Sequence, residues 1–61
     1  MLNYRVEWFE PVYTPEVREV DLLFFTSHNG FTAQEASAIA EMEIGDEIPF
    51  DYWSVRIVRT S

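Results

Sequence analysis

Apolar and polar residues alternate along the first ten positions. Leu2, Tyr4, Val6 and Trp8 interleave with Asn3, Arg5, Glu7 and Phe9. A period of two in β-branched and aromatic residues predicts a half-buried strand over 2–10. Pro11 and Pro15 bracket Val12, Tyr13 and Thr14. Proline has no N–H for a ladder and holds its φ fixed, so this stretch is predicted to be a connection. Alternation resumes at Val17 and predicts a second strand to Thr26. Val20, Leu22 and Phe24 take one face, and Glu19, Asp21, Leu23 and Phe25 the other. The two strands are predicted to pair as an antiparallel hairpin.

Ser27-His28-Asn29-Gly30 has the composition of a turn. Thr32-Ala33-Gln34-Glu35 then matches a capping box, in which the hydroxyl and the carboxylate each take a free backbone N–H. Phe31, one residue before the cap, is placed to staple against Ala36. Good helix formers continue to about Ile44. Ala36, Ile39, Ala40 and Glu43 share one narrow stripe. Gly45 is placed as a left-handed cap at the helix end. An acidic loop, 46–51, leads to a last strand over 52–60. Trp53, Val55 and Ile57 lie on one face of it, and Tyr52, Ser54, Arg56 and Val58 on the other.

The order strand, strand, helix, strand predicts an α+β fold in one small domain, 1–61. Its sheet is three-stranded and antiparallel, of order 2-1-3, with a single helix packed on one face. The predicted core joins Tyr4, Val6, Trp8, Val20, Leu22, Phe24, Trp53, Val55 and Ile57 to Ala36, Ile39 and Ala40.

Size sharpens this picture. A chain of 61 residues buries only about 60% of its unfolded surface and sits near the lower limit for folding alone. It has no Cys and one His, so neither a disulfide nor a zinc cluster is available. Five Phe, three Tyr and two Trp must supply the burial. No apolar run reaches the roughly 18 residues that span a bilayer. The N-terminus lacks the basic start and apolar stretch of a signal peptide. A cytoplasmic location is therefore expected.

Charge excludes more. Eleven acidic residues against four basic ones leave a net charge of −7. That balance disfavours nucleic acid, whose phosphates call for cations, and an anionic membrane surface. The expected partner is a basic protein surface. From Glu41 to Asp51 the chain carries five carboxylates, Glu41, Glu43, Asp46, Glu47 and Asp51, with no basic residue between them. Glu16, Glu19 and Asp21 form a second acidic group on the second strand. Every basic residue is Arg, and Arg56 and Arg59 lie together near the end of the last strand. An acidic surface of this kind can imitate phosphates and enter a basic groove, gaining association rate from long-range attraction.

Catalytic readings find little support. Ser27 and His28 are neighbours in one turn, poor geometry for a nucleophilic relay. Asp46, Glu47 and Asp51 do not follow the calcium-loop spacing. The two glycines form no phosphate-binding loop. No cofactor, metal or catalytic residue is expected. On the face away from the predicted helix, Phe9, Leu23, Phe25, Tyr52 and Val58 would be exposed, and contiguous apolar surface marks an interface. Phe9, Leu23, Phe25, Phe50 and Tyr52 are the candidate apolar anchors, for a partner or for a homodimer.

Thr32-Ala33-Gln34-Glu35-Ala36, Ala40-Glu41, Ile48-Pro49 and Val55-Arg56-Ile57-Val58-Arg59 resemble the helix and last strand of the small phage inhibitor of bacterial RNA polymerase. The resemblance covers roughly the second half of the chain. It implies a strand–strand–helix–strand fold and a role for Arg56 and Arg59 in gripping the polymerase near its DNA channel. In size, acidity and element content the chain is also similar to phage inhibitors of uracil-DNA glycosylase, which dimerise and replace DNA phosphates with carboxylates; no residue motif carries that likeness. The expected function is that of a phage-encoded, non-catalytic inhibitor of a host nucleic-acid enzyme, acting in the bacterial cytoplasm. A homodimeric structural or assembly module is the alternative.

Overall fold

A computed structural model describes residues 2–10, 13–26, 29–50 and 54–61. The elements are β1 (Asn3–Glu10), β2 (Tyr13–Asp21), α1 (Leu22–Thr26), α2 (Ala33–Ala40), β3 (Glu47–Phe50) and β4 (Val55–Arg59). The fold is α+β. Its sheet has four strands in the order β2-β1-β4-β3, every neighbouring pair antiparallel.

The expected order of the three long strands is present, since the predicted last strand is β4 and lies beside β1. The sheet is one strand wider than expected. Residues 47–50, read as loop, pair with β4 as Ile48↔Ile57 and Phe50↔Val55. Pro49 concealed this strand, yet an outer strand tolerates a residue that cannot donate.

The same reason corrects the reading of residues 13–15 as a connection. They belong to β2, the other outer strand, at a register shift opposite Trp8 and Glu10. Pro15 sits at that irregularity, where a missing N–H leaves no ladder bond unmade.

The second strand also ends earlier than predicted. Asn3↔Asp21 is the last β1–β2 pair, at the first residue of β1. Past that point the backbone must satisfy its own polar groups, and Leu22–Thr26 closes into the short helix α1. The run Leu22-Leu23-Phe24-Phe25 is apolar on both faces, a pattern that periodicity alone does not assign to strand or helix. Asn29 closes the end of α1 by donating from Nδ2 to the Phe24 carbonyl at 2.6 Å.

Helix α2 starts as predicted. The Thr32 hydroxyl accepts from the Glu35 N–H, and the Glu35 carboxylate accepts from the Thr32 N–H. It ends at Ala40 rather than near Ile44, with Glu41 as its cap. The chain then turns Met42 into the core, where it is 5% exposed. Gly45 is left-handed, with φ of 93°, but it serves the turn into β3 and not the helix end. Its N–H reaches the Arg59 carbonyl at 2.9 Å.

Both helices pack on one face of the sheet. Phe25, Ala36, Ile39 and Met42 meet Tyr4, Val6, Val55 and Ile57 there. Phe25 is central to this layer, edge-on to Tyr4, Phe24 and Phe31 with ring centroids 5.2–5.3 Å apart. Phe31 continues the chain of rings to Phe50 at 5.9 Å. Trp8, Val20, Leu22 and Phe24 are half-buried against the core as predicted. Ala40 is exposed, contrary to prediction, because α2 turns its final residue outward. Trp53 lies outside the described residues.

Candidate functional site

Among the described residues, both helices lie on one face of the sheet and no element covers the other. Cross-strand register sets its side chains in two rows: Glu19, Arg5, Val58 and Glu47, then Val17, Glu7, Arg56 and Pro49. At the centre lies Glu7. Its residue is only 7% exposed, and its carboxylate accepts from Arg56 at 2.6 Å and from Arg5 at 2.7 Å. The Arg56 hydrogen bond, followed by that of Arg5, holds the Glu7 carboxyl below its ordinary range, outweighing desolvation. Glu7 in turn raises the pKa of Arg56. The Arg56 guanidinium also lies 5.4 Å from the ring centre of Phe9, while its Nε is buried without a hydrogen-bond partner.

Glu7 went unnoticed in the sequence as a special residue. Arg5 two positions earlier on the same strand face was a local hint. Arg56, 49 residues away, was not.

Arg56 and Arg59 do not form a cluster. Arg56 pairs across β1 with Glu7 on the open face, and Arg59 pairs with Tyr4 on the helix side. Arg59 is committed to the fold. Its Nη1 donates to the Met42 carbonyl at 2.7 Å and its Nε to the Ser61 carbonyl at 3.0 Å. The remaining cation, Arg18, bridges to Glu16 at 3.1 Å and lies over the Trp8 ring. Each of the chain's arginines is thus engaged within the molecule.

The predicted acidic residues are placed as two separate groups. Glu41, Glu43 and Glu47 lie exposed around the end of α2 and on β3. Asp46 is also exposed, but its carboxylate accepts the Glu43 N–H at 3.0 Å and so holds the turn. Glu19 and Asp21 are exposed on β2, at the opposite edge. Three strand spacings, about 14 Å, separate the two edges. Among the described residues, Glu19, Asp21, Glu41, Glu43 and Glu47 enter no ion pair. Asp51 lies outside the described residues.

The apolar anchors divide. Phe25 is 1% exposed and belongs to the core, so it is not an interface residue; the helical turn of α1 carries it inward where a strand would have carried it outward. Leu23 is 67% exposed, but on α1 and not on the open face. Phe9 is on the open face beneath Arg56, and Phe50 is half-buried on the helix side. Tyr52, Ser27 and His28 lie outside the described residues. Among the described residues, the face away from the helices is consequently a charged surface with Phe9, Val17 and Val58 set into it, and not the apolar sheet that strict alternation predicts.

Between the two helices lies a groove of about 300 Å³ lined by Phe25, Phe31, Ala36 and Ala40 together with the hydroxyl residues Thr26, Thr32 and Ser37. No ionisable side chain is among its described lining. No group of three or more His, Asp or Glu stands close enough to hold a metal ion among the described residues, and no described helix is long and apolar enough to cross a membrane. Compared with protein-family models, curated proteins and solved structures, the chain matches none.

Proposed function

We propose that the chain is a non-catalytic acidic binding protein that occupies a basic groove of a nucleic-acid enzyme and blocks it. One observation carries this reading. All the arginines are turned onto partners within the molecule, while Glu19, Asp21, Glu41, Glu43 and Glu47 are exposed and enter no ion pair among the described residues. The net negative charge is therefore carried on exposed carboxylates, and such a field steers a basic partner. Among its described lining residues, the groove between the helices offers hydroxyls but no acid or base, which favours binding over catalysis.

Bacterial RNA polymerase is the first candidate enzyme, because the resemblance of the α2 and β4 segments points to its phage inhibitors. Uracil-DNA glycosylase is the second. Inhibition of each enzyme in vitro, measured against rising salt, tests the proposal. The native chain inhibits at low salt and loses potency steeply as salt increases. The triple variant Glu41→Lys, Glu43→Lys, Glu47→Lys, which leaves the turn-forming Asp46 intact, does not inhibit. Unchanged potency in that variant sinks the electrostatic mechanism.

A further inference from the structure

The two outer strands of the sheet differ. β3 is four residues long, whereas β2 has nine. An outer strand presents a row of unpaired backbone groups, and the register shows which residues present them. The Asn3 and Phe9 N–H groups both bond toward the β4 side, to Ser61 and Ser54. In an antiparallel ladder the N–H and C=O of one residue point the same way, and the direction alternates. The even residues of β1 therefore bond toward β2, and their partners are Val20, Arg18 and Glu16. Val17 and Glu19 are left with N–H and C=O aimed away from the sheet, and Asp21 with its N–H, since its C=O accepts the first bond of α1. Pro15 ends this row, since it has no N–H to offer.

The side chains of Val17, Glu19 and Asp21 all lie on the open face. Arg5 stands directly across from Glu19, yet its guanidinium is turned along its own strand to Glu7. Among the described residues, Glu19 and Asp21 thus pair with no cation. A second copy pairing through β2 would place these acids against each other or against Val17, because β2 carries no cation on that face. An added strand with Lys or Arg at alternate positions would match both. On the helix side the same strand would meet Val20 and Arg18. Just beyond Asp21, an open cleft of about 520 Å³ lies against Leu23 and Phe24, which suits an apolar residue continuing from that strand.

We infer that β2 accepts an extended basic segment of the partner protein as a fifth strand, bonded through the main chain of Val17, Glu19 and Asp21. This rests on the acidic-binder reading and specifies the form of its partner. Strand addition draws affinity from backbone bonds and specificity from alternate side chains.

The test uses the full chain and a synthetic peptide, Lys-Val-Lys-Glu-Val, capped at both ends. Paired antiparallel, it sets Lys against Asp21 and Glu19, Glu against Arg18, and Val against Val20 and Val17. Binding is followed by amide NMR titration. The Val17, Glu19 and Asp21 amides should gain protection from exchange. N-methylation of the peptide residues opposite these positions removes their donors and should weaken binding at least about tenfold, the loss of two or more hydrogen bonds. N-methylation of the two intervening residues should leave affinity within about twofold. Equal weakening by both methylation patterns overturns the inference. So does equal, salt-dependent binding of a scrambled peptide, although that outcome leaves the acidic-binder reading standing. No binding of either peptide at low salt defeats both. Self-association that protects the β2 amides without peptide also overturns the inference.

Discussion

The two faces of the sheet are made from alternate residues of the same strands, and they are held by different forces. On the helix side, Tyr4, Val6, Val55 and Ile57 are at most 3% exposed. There the stabilisation comes from removing aromatic and aliphatic surface from water. On the open side, Glu7 is nearly as buried, and two arginine side chains close on its carboxylate. Long side chains can shield a strand with their stems while their charged heads remain in water. A domain too small for two layers closes one face with helices and the centre of the other with ion pairs. The first solution supplies most of the stability, because pairs with half-exposed partners contribute little.

The largest effect should come from breaking the helix-side face. Ile57→Ala removes a fully buried side chain and is expected to lower stability by about 2–5 kcal/mol. At this chain length that approaches total unfolding, measured by urea denaturation. Tyr4→Phe is milder. It deletes the bond from the Tyr4 hydroxyl to the Ile39 carbonyl, 2.9 Å long, while that carbonyl keeps the Met42 N–H at 3.2 Å, at a loss of about 1 kcal/mol.

Next comes Glu7→Gln on the open face, with an expected loss of about 1 kcal/mol in view of the partners' exposure. These two variants also separate the faces by pH. Glu7 is held ionised below its ordinary pKa of 4.5, so its contribution is complete above that value and fades as pH falls further. Burial raises the pKa of Tyr4 above 10.0, so its contribution is complete below that value and fades as pH rises. Stability profiles should show Glu7→Gln flattening the acid limb and Tyr4→Phe flattening the alkaline limb. If Glu7→Gln leaves the acid limb unchanged, the ion pairs do not hold the open face.

The smallest effect is expected at Ser54, which has φ of 50° and whose carbonyl accepts the Phe9 N–H at 2.7 Å. Ser54→Gly relieves the left-handed strain and should add up to about 1 kcal/mol. The gain should be independent of pH, because both faces share that backbone.

Much of this arrangement was legible in sequence. The alternation of β1, the capping box at Thr32 and the pairing of β1 with its long neighbours all follow from local pattern. The misreadings have one cause. Pro15 and Pro49 looked like interruptions because proline is excluded from inner strands, and both strands are outer ones, a fact of topology that local pattern does not contain. Leu22–Thr26 looked like strand because it is apolar on both faces, and it is a helix that begins beyond the last β1–β2 pair. The acidic groups could be found by counting. The commitments of the arginines could not, since Arg56 to Glu7 and Arg59 to Met42 join distant segments.

The Glu7 arrangement also bears on how such a sequence can drift. One carboxylate serves two cations, so the three positions form a unit of inheritance. Replacing Glu7 alone strands two guanidinium groups, whereas losing Arg5 alone leaves Arg56 in place. Among descendants of this chain, Arg5 should therefore vary first, and positions 7 and 56 should exchange together, as an acid–base pair or as two neutral residues.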